Sequence, residues 1–390
     1  TISLDRMSKI GGLTYDRLLS RWAIVQAKSS TEDILCSHAR YADQIPCDNS
    51  MAEVKMKTKK GLGGFFGPAK QISDLDELQI SSVTVNVTPN AFARLSPSGS
   101  CYQHTYCGKT YYFLKSKVDE YDNLFRQCSQ RGIVVSAIIL IQRTAADPQI
   151  ASALVHPDCN GGNYSMPNMT SIASVNTYAA ILDFLASRYS PANGSNGCIH
   201  NWILHNEVDA ASTWTNMGSN VPEMLVTNEY EKSLRICYNI ARKYYPHAKV
   251  LASFTHTWTA CDNTDGYTAK SMLGDLVRFS AAEGDFEWGV AAHPYPQNLL
   301  EPRFWSYSDN SGFVTFKNLE VLDKWAKTPA NMYKGNVKRT VWLSENGTNS
   351  RSYSQVDLAD QAAGAAWAMK KVYHLDGIDG IQWHNWFDHP

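Results

Sequence analysis

From about residue 51 onward, short apolar runs alternate with stretches in which apolar side chains recur every three or four positions. The short runs predict strands and the periodic stretches predict helices. Residues 54–58 (VKMKT) alternate apolar and polar and predict a first strand, ended by the glycine-rich 61–67. A short helix is expected over 72–78, and the β-branched 83–87 (VTVNV) predict a second strand. Residues 88–113 predict a long loop. Val118, Tyr121, Phe125 and Cys128 then fall at helical spacing. Residues 133–141 form a continuous apolar run, as expected of a strand buried on both faces.

Past a second long loop that holds Pro148, Pro157 and Pro167, the alternation continues. Strands are expected at 199–204, 250–254, 288–292, 340–343 and 378–383. Helices are expected around 172–189, 230–244, 272–279, 319–325 and 358–372, the last with Ser354 and Asp357 as a capping box. Strict alternation of strand and helix favours a parallel sheet. Eight such units over residues 51–390 predict an α/β fold, the (β/α)8 TIM barrel. A doubly wound open sheet is the alternative, but no GxGxxG or Walker motif follows any strand. Residues 1–50 read as an N-terminal extension packed on the barrel, with 22–27 as a strand covering its bottom or side. The chain stops just after the eighth strand, so the terminal helix is expected to be missing. Either residues 1–50 cover that flank or the chain is shortened.

Composition narrows the function. Of 390 residues, 44% are apolar and 19% charged, and the formal net charge is -1. That excludes an extended disordered protein and argues against nucleic acid or an anionic membrane as partner. No apolar run approaches the ~18 residues of a membrane-spanning helix. The nine cysteines contain no CxxC pair, which argues against a zinc knuckle. Cys36/Cys47 and Cys101/Cys107 have spacings that suit local disulfides, whereas Cys128 and Cys237 fall on apolar stripes as buried thiols. Glycosylation sequons occur at Asn86, Asn163, Asn168, Asn193 and Asn346. The three between 163 and 193 point to a secreted glycoprotein. Asn86 and Asn346 lie at strand ends and read instead as site residues.

In a barrel of this kind, reactive groups sit at the carboxyl ends of the strands. Those ends carry Asn86, Gln142 and Arg143, His205-Asn206-Glu207, His256, His293 and Tyr295, Glu345-Asn346, and Trp383-His384-Asn385. Glu207 ends WILHNE and Glu345 ends TVWLSE, each after a run too apolar to carry a charge elsewhere without cost. Period-2 counting puts Ile203, His205 and Glu207 on one face, and Val341, Leu343 and Glu345 on another. Strands four and seven can converge across the mouth. Two carboxyl groups about 5 Å apart are the machinery of a retaining glycosidase, one protonating the departing oxygen and the other attacking the anomeric carbon.

The pattern resembles the clan A glycoside hydrolases, which are (β/α)8 barrels with an Asn-Glu acid/base ending strand four and a Glu nucleophile ending strand seven. Asn206-Glu207 and Glu345 match those positions. The resemblance implies that Glu207 and Glu345 are catalytic and that Asn206 binds the sugar 2-hydroxyl. It implies that His293 and Tyr295 hydrogen-bond the nucleophile and that Trp383 is the platform under the reacting sugar. His205 stands where a small residue is commoner. His205, His256 and Asn86 complete the expected substrate-binding set. Eleven tryptophans and 20 tyrosines fit a carbohydrate partner. Trp202 and Trp342 are expected to face the helices as core, and Trp214, Trp258 and Trp305 to lie in loops at the mouth.

Two rival readings remain open. His205, His256, His293, His384 and Asp388 near strand ends would suit a metal-dependent hydrolase, although no HxH pair marks strand one and no HExxH occurs. A sugar-binding barrel without catalysis is the other. No metal or cofactor is expected.

Overall fold

In the computed structural model, eight parallel strands close into a barrel in which neighbours in space are neighbours in sequence. The structure describes all residues except 1, 30, 31, 48, 191, 193, 262–264, 300–310 and 388–390. The barrel strands are β1 (Lys60–Leu62), β2 (Ser82–Val87), β3 (Val134–Ile139), β4 (Asn201–Leu204), β5 (Lys249–Phe254), β6 (Trp288–Ala292), β7 (Val341–Leu343) and β8 (Gly380–Trp383). The crossovers carry α1 (Ala69–Glu77), α2 (Lys115–Ser129), α3 (Ile172–Arg188), α4 (Glu223–Tyr244), α5 (Ala269–Glu283), α6 (Glu320–Lys327) and α7 (Gln355–His374). This is the expected TIM barrel, and no helix follows β8 among the described residues.

The barrel is filled from within. Val134, Ile138, Leu140, Ile203, Leu251, Ala291 and Trp342 make one inner cluster. A polar layer lies beside it, where the Ser136 hydroxyl accepts from the amides of Asn201 and Gln382, both at 3.0 Å. Gly61 on β1 allows the ring to close, since a Cβ there would sit 2.2 Å from the Ser82 Oγ of β2. The residues between these inward positions, such as Val135, Leu204, Val250 and Leu343, belong to the larger cluster that packs the barrel against its helices.

Several expectations need correction. The first strand is not 54–58 but the three residues of β1, and Val54 and Met56 pack instead on the inner cluster. Their alternation is real, but the surface it buries is the floor of the barrel. Trp342 points into the barrel, unlike Trp202, which packs on the helix side as expected. Residues 88–113 are not a loop. They hold a short helix, Pro89–Phe92, and an antiparallel hairpin of Cys101–Tyr106 with Lys109–Leu114. Cys107 and Gly108 turn that hairpin with positive φ of 49° and 75°, the requirement of a two-residue type I′ turn. Cys101 and Cys107 therefore sit at opposite ends of one strand and cannot pair. Cys36 and Cys47 are free thiols as well.

The described part of the N-terminal segment contacts α3, α4 and α5. Asn176 and Asn239 donate side-chain hydrogen bonds to the carbonyls of Thr14 and Leu18, and Arg21 pairs with Glu283 at 2.6 Å. Covered by this segment on one side and the 101–114 hairpin on another, α3 buries residues all round its surface. Val25–Ala27 pairs with Asp33–Leu35 and not with the barrel. The extension's contacts fall on α3, α4 and α5, and among the described residues no helix lies between α7 and α1. α7 exposes Val356, Leu358, Trp367 and Tyr373 and buries only Ala368 and Val372. At its start, the Ser354 hydroxyl accepts from the Asp357 amide, the first half of the expected box.

Candidate active site

β4 delivers Asn206 and Glu207 into a loop stitched to the end of β5. The Glu207 amide donates to Ser253 Oγ at 3.1 Å, and Val208 N to the Ser253 carbonyl. Glu207 itself adopts φ 42°, the left-handed region that a residue with a Cβ rarely occupies. Its carboxylate is buried, 8% exposed. Two residues on, buried Asp209 accepts from Thr255 N at 3.0 Å and from the Thr255 and Thr257 hydroxyls at 2.5 and 2.8 Å. Burial, with the nearby Glu207 charge as a lesser cause, pushes the Asp209 carboxyl up to about 6 against the pull of those donors.

Across the mouth, β7 ends at Leu343 and the chain then places Glu345 beside the β6 loop. Period-2 counting fails there: Val341 and Leu343 face the helices, and Glu345 reaches the mouth because the strand has already ended. Tyr295 donates its hydroxyl to Glu345 Oε1 at 3.1 Å. Burial, then the Glu345 charge, pushes that phenol far above its ordinary range.

His293, at the end of β6, joins the two sides. Its Nδ1 lies 2.6 Å from Glu207 Oε1 and its Nε2 lies 3.1 Å from Ser344 Oγ. The resemblance implied the nucleophile as its partner, whereas here it contacts the other glutamate. Burial opposes a charge on the imidazole, but Glu345 and the hydrogen-bonded Glu207 outweigh it and raise its pKa. One side-chain atom each of Glu207, His293 and Glu345 lie within 4.8 Å of one another. These three could also hold a divalent cation.

The other expected residues divide. Asn206 is buried at 7% exposure, and no hydrogen bond to its side-chain amide is formed among the described residues. Asn86, near the end of β2, is exposed. Trp383 is half-buried and stacks on Phe316 at 5.9 Å and 3°, one face covered. His256 Nδ1 lies 3.2 Å from the Tyr295 carbonyl, at the rim. His205 does not reach the site. It is fully buried between Tyr178 of α3 and Tyr230 of α4, with Nδ1 2.7 Å from the Ile139 carbonyl, and burial holds its pKa down at about 4. Asn346 is also structural, donating to the carbonyls of Leu343 and Gln382. Trp258 is core at 6% exposure, while Trp305, Asn193 and Asp388 lie outside the described residues. Among the described residues the histidines are not gathered into a metal-binding ring, and His293 is the one that joins the two glutamates. Ser344, Asp209 and Tyr164 escaped sequence reasoning. Asp209 carried the one available signal, an acid two residues beyond a strand-end glutamate.

The fold is a (β/α)8 barrel, with Glu207 and Glu345 just past the ends of β4 and β7. It is similar to a family 39 glycoside hydrolase from Bacteroides cellulosilyticus WH2, with TM-score 0.52 and 13% identity over 100% of this chain and 72% of that one. An endo-1,4-beta-mannanase from Rhizomucor miehei superposes with TM-score 0.51 and 12% identity, covering 93% of this chain and 90% of its own. A glucosidase from Croceicoccus marinus does so with TM-score 0.50 and 13% identity over 84% of this chain, which spans 60% of the length of that enzyme. No curated protein matches the sequence. The chain belongs to DUF5722, a family of unknown function, which matches residues 52–390.

Proposed function

We propose that this protein is a retaining glycoside hydrolase that cleaves O-glycosidic bonds of a glycan. The observation that carries the reading is the approach of the two carboxylates, with an oxygen of Glu207 within 4.8 Å of an oxygen of Glu345. Carboxyl groups about 5–5.5 Å apart suit a covalent intermediate, whereas an inverting site needs ~6.5–9.5 Å to admit water.

Glu345 attacks the anomeric carbon while Glu207 passes a proton to the departing oxygen, and the glycosidic C–O bond breaks. Water then donates a proton to Glu207, attacks the same carbon and releases Glu345. His293 Nδ1 holds Glu207 Oε1 at 2.6 Å and fixes the carboxyl toward the departing oxygen. Tyr295 holds Glu345 aligned for attack. Asn206 offers an unpartnered amide to a sugar hydroxyl, and Trp383 offers its uncovered face to the ring.

The names of the neighbours, a glucosidase and a β-mannanase, make β-glucosides and β-mannosides the first substrates to try. Secretion is part of the proposal, and Asn163 is an exposed sequon. The deciding experiment is proton NMR of the first product from an active aryl glycoside. Retained configuration is expected; an inverted product overturns the mechanism.

A further inference from the structure

A glycosidase must hold two rings, one on each side of the bond it breaks. Trp383, on β8 next to the β7 loop of Glu345, serves one side. The opposite side of the mouth is built by the loops after β3 and β4. There Tyr164 and Trp214 lie with ring centroids 6.2 Å apart and planes 16° from parallel, both half-buried. Tyr164 packs on the inner barrel cluster, so its ring stands over the mouth and away from the helices. The Glu345 charge reaches it: burial first, then that charge, pushes the phenol up. Trp214 belongs to the same loop as Glu207.

The pair is rigidly mounted. Tyr164–Ser165 and Thr215–Asn216 form a small parallel ladder, and Tyr164 N donates to the Trp214 carbonyl at 2.9 Å. Asn216 Oδ1 accepts from the amides of Asn160, Gly161 and Gly218. At Gly162 the loops approach so closely that a Cβ would fall 2.5 Å from the Trp214 carbonyl oxygen, and its φ is +69°. A braced pair of near-parallel rings at the mouth offers an apolar surface to the C–H face of a sugar.

Resting on the glycosidase reading, we propose that Tyr164 and Trp214 form the leaving-group platform, a binding surface for a sugar ring on the Glu207 side of the scissile bond. The proton donor must face the departing oxygen, and the ring attached to that oxygen then lies over the loop that carries both Glu207 and Trp214. In the reverse sense, the same platform seats a sugar acceptor for transfer from the glycosyl-enzyme. The aromatic wall thus selects saccharide over small leaving groups.

Partitioning of the glycosyl-enzyme tests this, because transfer to a sugar and to water both use Glu207 as base. The donors are β-glucosyl and β-mannosyl fluoride, and the acceptors are the methyl β-glycosides. Trp214→Ala is expected to lower the ratio of transfer to hydrolysis roughly 10-fold, the scale of one aromatic contact. Trp214→Phe should restore part of it. Trp214→Leu replaces the alanine variant if that one does not fold, as judged by circular dichroism. An unchanged ratio, or no transfer by the unaltered chain, overturns the platform. No turnover of either fluoride or of any aryl glycoside overturns the glycosidase reading itself and the platform with it.

Discussion

The imidazole Nδ1 of His293 lies 2.6 Å from Glu207 Oε1, in a pocket that leaves the histidine 1% exposed. A buried imidazole in that position is held charged by the carboxylates around it, and its pKa lies above the ordinary value of about 6.5. A folded-state pKa above the unfolded one means that the stabilisation is complete below about pH 6.5 and fades as pH rises through the folded value. The melting-temperature advantage of the native chain over His293→Gln should therefore be largest in mild acid and shrink toward alkaline pH. An advantage constant from about pH 5 to about pH 9 would count against a charged His293.

The two glutamates should separate kinetically. Glu345→Ala is expected to lose about 10⁴-fold or more on every glycoside, since no other group forms the covalent bond. Glu207→Ala should lose roughly 10²–10⁴-fold on natural glycosides, the usual contribution of a general acid. It should still be glycosylated by a dinitrophenyl glycoside, and azide should then rescue turnover with retained configuration. If the two variants behave in the opposite sense, the roles are exchanged.

Chelation addresses the other use of the same three side chains. With Glu207, His293 and Glu345 bonded as an acid/base cluster, EDTA should leave activity unchanged. A stoichiometric Zn²⁺ found by emission spectroscopy, with activity lost on its removal, would favour the metal-hydrolase reading.

Asp209 is expected to cost stability at neutral pH. Its carboxyl is raised to about 6, so the charged form is disfavoured by burial. The folded state holds that proton more tightly, and stability relative to Asp209→Asn should fall as pH rises from about 4 through about 6, by up to about 3 kcal/mol. Chemical denaturation of both chains at about pH 4 and about pH 7 measures the difference; parallel stabilities at the two pH values would contradict it.

The barrel was legible because apolar runs such as 133–141 sit between helical periods, and because polar groups follow nearly every run. Glu207, Glu345 and Tyr295 were reached by that logic. His205 was not, since counting by twos assumes that the strand continues, and β4 stops at Leu204. The same assumption put Val341 and Leu343 on the side of Glu345. The hairpin at 101–114 carried a visible period-2 pattern, Tyr111 and Phe113 inward, but its partner surface on α3 lies about 70 residues away along the chain. Neither that surface nor the Asp209 network, which depends on threonines at the end of the next strand, has a local signature.

The short ladders of β8 have a dynamic consequence. β8 shares two register pairs with β7 and three with β1, against six between β2 and β3. With few ladder bonds, as for β1 and β7 beside it, β8 should exchange its amides with solvent before β2 and β3. That strand carries Trp383. A sugar seated on the indole would then act as a clasp across one of the barrel's shortest ladders, slowing exchange at Gly380–Trp383 while the amides of β2 and β3 stay as they were.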